Sequence, residues 1–462
     1  MRVTASSLSF AFALLACAGC TLAGGGSNLT SGGASREVLP QGNNPRPKTP
    51  ASQYISHVIV IIQENRSFEN FFAGYPGADA PMYGYGKVSG KKIQIPLHKD
   101  TFEVEPNLPH EMEDSLTEWD GGKMDLFNKF GKKGTNAAYA YIDHAQLKPY
   151  YRLAKNYVLA AHMFPTEFGP SWTGHMTLIA GTDTIQTTPS PGPDSLADFS
   201  DGAYNSCDSP TGTKTTLVFT NHLIEHAVGP FPCFTQFATM ASTLDAAGVS
   251  WKYYVTKVRH AGIWSPFEAI KSVRYGKDWQ TKLIAPQTKI LTDPSQNALA
   301  SVSWVTPSKP DSDHPGQRSD LGPSWVASVV NAIGKSPYWN SSAIIVVWDD
   351  WGGFYDNEAP PQLDYRGLGM RVPCLIISPY AKKGYVSPTQ YEFGSILKFM
   401  EEVFGLPPLG PTSDGYTDTR ANSIMDSFSF AQKPRRFEPI PSKYPISHFV
   451  HEPPSDEPVD EY

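Results

Sequence analysis

Continuous apolar runs, rather than alternating ones, dominate the pattern of this chain. Five runs rich in β-branched residues predict strands, at residues 57–62, 250–255, 301–305, 343–347 and 372–378. Apolar positions at helical spacing predict helices at residues 150–157, 235–247, 323–333 and 394–404. Strands without polar alternation are typical of a sheet that is covered on both faces. The pattern therefore predicts an α/β fold, with a mostly parallel central sheet and helices on both faces.

Two long stretches interrupt this pattern. Residues 75–134 and 184–232 are rich in Gly, Pro and aromatic residues. They predict loop-rich excursions that roof a site at the edge of the sheet. Residues 53–450 are expected to form a single domain, and the Pro-rich acidic segment 451–462 is expected to be a solvated tail.

The N-terminus predicts export. Arg2 precedes an apolar run that is too short to span a bilayer, which is the layout of a signal peptide over residues 1–20. The end of this run, "LLACAGC", also resembles a bacterial lipobox, with Cys20 as the lipidated residue and Cys17 as a second candidate. An ordinary signal peptide with incidental cysteines is the alternative. Residues 21–52 are rich in Gly, Ser and Pro and predict a disordered linker. We expect a periplasmic, secreted or lipid-anchored bacterial protein.

Charge and cysteine content narrow the possible partners. The chain has 38 Lys and Arg against 45 Asp and Glu, a net charge of −7, and no long basic run. Nucleic acid is therefore excluded as a partner. In an oxidising compartment Cys207 and Cys233 could form a disulfide and leave Cys374 as a buried thiol. No cysteine spacing matches a CxxC zinc site.

Polar clusters follow two of the predicted strands at the point where each ends. Glu64 and Asn65 follow the first strand, and two aspartates, Asp349 and Asp350, follow the fourth. In an open α/β sheet, functional groups collect at the carboxyl ends of strands, and clustered oxygen donors favour a divalent metal. The alternative is structural. In that case the two aspartates cap a turn, and Glu64 pairs with Arg66.

A third polar segment is "MFPTEFGPSWTGHMTLIAGT". Gly169 and Pro170 interrupt the chain, Ser171 stands at a predicted helix N-cap, and an apolar helical face follows. A serine at this position lies near unpaired N–H groups that would stabilise an alkoxide or a phosphate. Capping alone explains the serine equally well. The spacing is not the G-x-S-x-G elbow of α/β-hydrolases.

Together these segments resemble the phosphoesterase family that contains bacterial phospholipases C and a respiratory-burst-inhibiting acid phosphatase. The resemblance is carried by "HVIVIIQENRSFENFF", "WDGGKMDLF", "FGPSWTGHMTLIAG", "VSWVTPSKPDSDHP" and "IIVVWDDWGGFYDNEAPP", in family order. It implies an alkaline-phosphatase-like fold and hydrolysis of a phosphate ester, with a phospholipid as one candidate substrate. It also implies one divalent metal ion, either calcium, magnesium, zinc or iron.

The resemblance assigns roles to individual residues. The implied metal ligands are Glu64, Asn65, Ser171, Asp349 and Asp350. Ser171 would be the nucleophile, forming a phosphoserine that water hydrolyses. His314 and His110 would contact the phosphate, and either could protonate the leaving alcohol. The implied substrate-binding residues are His175, Lys123 and Asn65.

Departures from the family pattern occur at Thr173-Gly174, Asn357 and Ala161. The metal ligands and the nucleophile are intact, so these departures bear on the leaving group and the substrate. They also motivate an alternative, a catalytically inactive, surface-anchored binding protein of the same fold. A glycosidase that uses Glu64 with Asp349 would have only paired carboxylates in its favour.

Overall fold

A computed structural model describes residues 49–132, 134–186, 193–199 and 204–455. The predicted signal peptide with Cys20, most of the predicted linker and the last seven residues of the tail lie outside the described residues. Pro45–Tyr462 forms one compact unit. Within the described ranges, no helix combines the length and apolar character needed to cross a membrane.

The strands and helices are short relative to the loops that join them. The strands are β1 (His57–Gln63), β2 (Tyr83–Val88), β3 (Lys91–Pro96), β4 (His98–Asp100), β5 (Ala140–Ile142), β6 (Val158–Ala160), β7 (Met163–Phe164), β8 (Thr184–Gln186), β9 (Asp194–Asp198), β10 (Thr216–Phe219), β11 (Ile224–Glu225), β12 (Trp251–Tyr254), β13 (Leu283–Ile284), β14 (Val302–Val305), β15 (Ser342–Trp348), β16 (Cys374–Ile377), β17 (Tyr385–Ser387) and β18 (Tyr391–Glu392). The α-helices are α1 (Phe68–Phe72), α2 (Met112–Trp119), α3 (Lys148–Asn156), α4 (Ser171–Ala180), α5 (Met240–Ala246), α6 (Lys271–Arg274), α7 (Asp278–Thr281), α8 (Gly322–Gly334), α9 (Phe393–Phe404) and α10 (Ile446–Val450).

Eight strands form the central sheet, in the order β13-β12-β14-β1-β15-β16-β6-β17. Only β16 runs against its neighbours, being antiparallel to both β15 and β6. The other neighbouring pairs are parallel. The predicted mostly parallel sheet is therefore confirmed.

The interior strands are covered on both faces. Every residue of β14 and β15 is buried, as is every residue of β1 after His57. Helices α3 and α8 pack against each other and against β6, β15 and β16, whereas α4 packs against α5 and α9. Two groups of helices thus enclose the sheet, in agreement with the α/β prediction.

All five predicted strands and all four predicted helices are present. The largest difference in a boundary is at α5, predicted from residue 235 but beginning at Met240. The Thr239 side chain accepts from the Ser242 N–H and closes a capping box, which fixes the start of the helix. Three sheet strands, β6, β13 and β17, were not predicted because runs of two or three residues carry no periodicity.

The predicted excursions build a second layer over one edge of the sheet. They contain the β2–β3 hairpin and the sheet β11-β10-β9-β8. Their apolar side chains form a separate cluster in which Leu108, Phe127 and Val218 pack with Trp351 and Phe354, from the segment that follows β15. The excursions therefore lie over the end of β15, where the aspartates were predicted to act.

Candidate active site

The two predicted ligand pairs lie side by side because β1 and β15 are paired in register. The register runs from His57 opposite Ser342 to Gln63 opposite Trp348, so both strands end at the same edge. Beyond the sheet, the backbone N–H of Asn65 donates to Oδ1 of Asp349 over 3.0 Å. The strand register thus brings together side chains that are 284 positions apart in sequence.

Glu64, His175 and Asp349 form one fully buried group at this edge. Nε2 of His175 lies 2.9 Å from Oε1 of Glu64 and 3.8 Å from Oδ2 of Asp349. One candidate ligand atom from each residue lies within 4.8 Å of the others. Among the described residues, Oδ2 of Asp349 accepts no hydrogen bond. Two carboxylates and an imidazole around an orphaned buried oxygen fit a divalent cation. His175, predicted to bind substrate, is therefore placed with the candidate metal ligands.

Ser171 belongs to a second group, built on Asn65 and Asp350. The Ser171 hydroxyl donates to Oδ2 of Asp350 over 3.0 Å and receives a bond from Nδ2 of Asn65 over 3.2 Å. Nδ2 of Asn65 also lies 2.6 Å from Nε2 of His110. All four side chains are fully buried. The structure thus divides the predicted ligand set, with Ser171 beside the second aspartate of the pair.

Ser171 is not the helix N-cap, which corrects the sequence prediction. Pro170 occupies the N-cap position and Ser171 is the first residue of α4. The Pro170 carbonyl accepts from the Gly174 N–H over 3.1 Å. Because the cap uses no side chain, the Ser171 hydroxyl can point to Asp350 instead.

The structural alternative for the acidic residues is half right. Oδ1 of Asp350 accepts from the Gly352 N–H over 2.7 Å and so caps the turn after β15, while its other oxygen contacts Ser171. Arg66, however, forms its buried ion pair with Glu105 rather than with Glu64. The pairing expected in that alternative is therefore wrong, because the Arg66 side chain extends away from the strand end.

His110 and His314 are oriented by backbone carbonyls. Nδ1 of His110 donates to the Leu108 carbonyl over 2.6 Å, and Nδ1 of His314 donates to the Pro315 carbonyl over 2.7 Å. A carbonyl only accepts, so Nδ1 of each ring carries a proton and Nε2 is the atom that exchanges one. The ring centroids are 6.1 Å apart. The structure therefore brings both predicted phosphate-contacting histidines together.

Trp264 is a site residue that the sequence analysis missed. Its ring centroid lies 6.3 Å from that of His175 and 6.3 Å from that of His314, and its side chain is buried. It comes from a loop without periodicity, and one tryptophan among 10 gives no signal in a single sequence.

The remaining predicted residues lie outside these two buried groups. The Lys123 side chain is 60% exposed and forms an ion pair with Asp120 over 3.3 Å. Cys207 and Cys233 are joined by a disulfide, and Cys374 is a buried free thiol in β16.

Two departures from the family pattern meet at one buried arginine. Arg371 donates to Oδ1 of Asn357 over 2.9 Å and to the Ala161 carbonyl over 3.1 Å. It also pairs with the buried carboxylate of Asp356 over 3.0 Å. These positions therefore contact an internal cation, which accounts for an uncharged residue at each of them.

The comparisons with known proteins agree with this geometry. A model of the phosphoesterase family matches residues 55–407. The chain is 23% identical over 447 residues to the non-hemolytic phospholipase C of Pseudomonas aeruginosa, covering 84% of this chain and 58% of that protein. It is 25% identical over 445 residues to phospholipase C A of Mycobacterium tuberculosis, covering 83% of this chain and 79% of that protein. A solved structure from the alkaline phosphatase superfamily of Vibrio parahaemolyticus aligns at a TM-score of 0.39 and 13% identity, covering 86% of this chain and 77% of that chain.

The family match spans both buried groups, from Glu64 in β1's extension to Asp350 after β15. The chain spans somewhat over half the length of the Pseudomonas relative, 58%, and most of the length of the mycobacterial one, 79%. The chain therefore belongs to the phosphoesterase family, whose members are hydrolases that act on phosphoric ester bonds.

Proposed function

We propose that this chain is an exported, metal-dependent phosphoesterase that uses Ser171 as its nucleophile. The observation that carries the proposal is the contact of the Ser171 hydroxyl with Asp350 and Asn65, directly beside the buried group of Glu64, His175 and Asp349. A hydroxyl at the start of a helix, next to clustered carboxylates, is poorly explained by packing alone.

The residues present supply each proton transfer that the reaction needs. Oδ2 of Asp350 accepts the Ser171 proton while Oγ attacks phosphorus, and the ester oxygen leaves as an alcohol. His314 is the better placed acid for that alcohol, because Nε2 of His110 already faces the Asn65 amide. Attack of water on the resulting phosphoserine then releases phosphate and restores the Ser171 hydroxyl.

The proposed metal ligands are Glu64, His175 and Asp349. When bound, a divalent ion supplies charge neutralisation for the phosphoryl oxygens. A nitrogen donor beside two carboxylates favours zinc, iron or manganese over calcium and magnesium, which prefer all-oxygen sites. This set narrows the range of metals that the sequence had left open.

The substrate and the location are also proposals. The relatives are named phospholipases C, so a phospholipid is the first substrate class to test, and a phosphomonoester the second. The Cys207–Cys233 disulfide supports an oxidising compartment, as export would provide. A lipid on Cys20 would add anchoring to a membrane.

Hydrolysis of p-nitrophenyl phosphate and of p-nitrophenyl phosphorylcholine, with and without a chelator, tests the proposal on the full chain. We expect hydrolysis of at least one of them, its loss with chelator, and a loss of about a thousandfold in Ser171→Ala. Thr177→Ala, in the same helix, is the matched control because its hydroxyl bonds only to α4 carbonyls. Unchanged hydrolysis in Ser171→Ala would refute the nucleophile. Phosphate binding without hydrolysis in the wild type would favour the inactive binding protein.

A further inference from the structure

Trp264 is wedged between the two histidines that serve different halves of the site. Its indole is nearly parallel to the His175 ring, at an angle of 14°, and tilted by 32° to the His314 ring. Its side chain is only 2% exposed. Through one rigid ring, the candidate metal group therefore contacts the candidate acid.

The loop that carries this ring, residues 260–268, is closed on itself; we refer to it as the Trp264 loop. The Glu268 carboxylate accepts the backbone N–H groups of His260, over 2.9 Å, and Ala261, over 2.7 Å. The Tyr253 hydroxyl donates to the Trp264 carbonyl over 2.9 Å. Both ends of the loop and its centre are thus fixed by hydrogen bonds.

The disulfide holds the end of the Trp264 loop from two sides. The Cys207 N–H donates to the Glu268 carbonyl over 3.0 Å. Next to Cys233, the Phe234 N–H donates to the Ala269 carbonyl over 2.7 Å. Because Cys207 and Cys233 are covalently joined, the two strands of chain that grip residues 268 and 269 cannot separate.

The same brace reaches the nucleophile helix. The Phe234 ring packs on the ring of Trp172, with centroids 6.0 Å apart, and Trp172 directly follows Ser171. On the other side, Asp208 pairs with Arg274 over 2.7 Å and with Arg259 over 2.8 Å. The residues adjoining each cysteine are therefore anchored, one to α4 and the other to cations around the loop.

We propose that Trp264 is a positioning residue that holds His175 and His314 in alignment with Ser171, and that the Cys207–Cys233 disulfide fixes Trp264 by bracing its loop. An imidazole with one fixed nitrogen can still swing, and the indole face removes that freedom. The inference rests on the proposed function of the site. Its energetic effect appears in the transition state, where a small misplacement of catalytic groups is costly.

Two substitutions of Trp264 test the positioning. We expect Trp264→Ala to lower kcat by about tenfold to a hundredfold with KM within about threefold, and Trp264→Phe to stay within about fivefold because a ring still fills the gap. Trp325→Phe is the matched control: this fully buried tryptophan packs on Phe449, so its loss should lower only the thermal midpoint. A Trp264→Ala enzyme with wild-type kcat and the native midpoint would overturn the proposal.

The disulfide is tested with Cys207→Ser/Cys233→Ser and with a phosphine reductant. The wild type should lose activity on reduction to the level of the double variant, and the double variant should not respond, which excludes an effect of the reductant on the metal. A reduced wild type with full kcat would overturn the brace.

Hydrogen exchange provides a readout that does not depend on turnover. In Trp264→Ala and in the double variant, amide exchange should accelerate in residues 171–180 and 308–314, which hold His175 and His314, and stay unchanged in β1. If the wild type hydrolyses no phosphate ester, the proposed function fails, and exchange alone decides whether Trp264 holds the histidines. Unchanged exchange in both segments would overturn the positioning role.

Discussion

Asn65 joins the two halves of the site at the scale of a single residue. Its backbone is in the left-handed region, with φ at 58°, and its side chain contacts Ser171, Asp350 and His110. The left-handed region strains residues with a Cβ, though asparagine tolerates it better than most. Gly352 faces it closely, since a Cβ there would lie 2.2 Å from the Asn65 carbonyl oxygen. Backbone strain and catalytic contact thus coincide at one position.

Substituting Asn65 in two ways separates these contributions. Asn65→Gly and Asn65→Ala both remove the amide, so we expect both to lower kcat by about a hundredfold. Alanine adds strain at a positive φ, whereas glycine does not, so Asn65→Ala should be the less stable by about 1 kcal/mol in urea unfolding. Ser89→Ala is the control for strain alone, since Ser89 has a φ of 49° in an exposed turn. Equal stability of the glycine and alanine variants would contradict this account.

At the scale of elements, the site depends on how closely α4 approaches the end of β15. Gly174 makes that approach possible, since a Cβ at this position would lie 2.7 Å from the Asp349 carbonyl oxygen. The helix carries Ser171 and His175, and the strand end carries their acidic partners. A change in this spacing moves nucleophile and ligands apart together.

We therefore expect Gly174→Ala to lower kcat by at least about tenfold, because the helix or the turn after β15 must shift. Thr177→Ala, one turn further along the same helix, should leave kcat within about twofold, since its hydroxyl contacts only helix carbonyls. Initial-rate kinetics with thermal unfolding of both variants would check this. A Gly174→Ala enzyme with wild-type kcat would show that the spacing has slack.

The Trp264 loop makes stability depend on pH through Glu268. Burial raises the pKa of Glu268 to about 7 from an ordinary value of 4.5. Since the folded-state pKa is the higher one, its stabilising contribution is complete below pH 4.5 and is lost as pH rises through about 7. Between these limits, the wild type should lose up to roughly 3 kcal/mol relative to Glu268→Gln. Urea unfolding of both proteins across this range measures the difference. Parallel pH profiles would refute it.

For the whole molecule, the candidate metal group should couple ion binding to folding. An ion held at about 100-fold its dissociation constant stabilises the folded state by roughly 3 kcal/mol. We expect a chelator to lower the thermal midpoint of the wild type, and zinc or manganese to restore it better than calcium. His175→Ala should not respond, whereas His98→Ala should respond like the wild type, because His98 is partly exposed beside Asp100. A wild type whose midpoint ignores chelator would argue against a metal.

Much of the fold and part of the site were predictable from the sequence. The apolar runs at β1 and β15 predicted both strands and the side chains that follow them, because burial on both faces leaves an unambiguous pattern. The separation of Ser171 from Glu64 and His175 was not predictable, because it depends on the direction of individual side chains. Trp264 was equally inaccessible, since tertiary contacts alone place its loop.

The register between β1 and β15 has a consequence for how the protein is made. Glu64 and Asp349 meet only after nearly 300 intervening residues have been synthesised, so long-range pairing must precede any chemistry. A nascent chain that ends before β15 has its hydroxyl but lacks both aspartates. The cell that makes this hydrolase is thereby spared its action until translation is nearly complete.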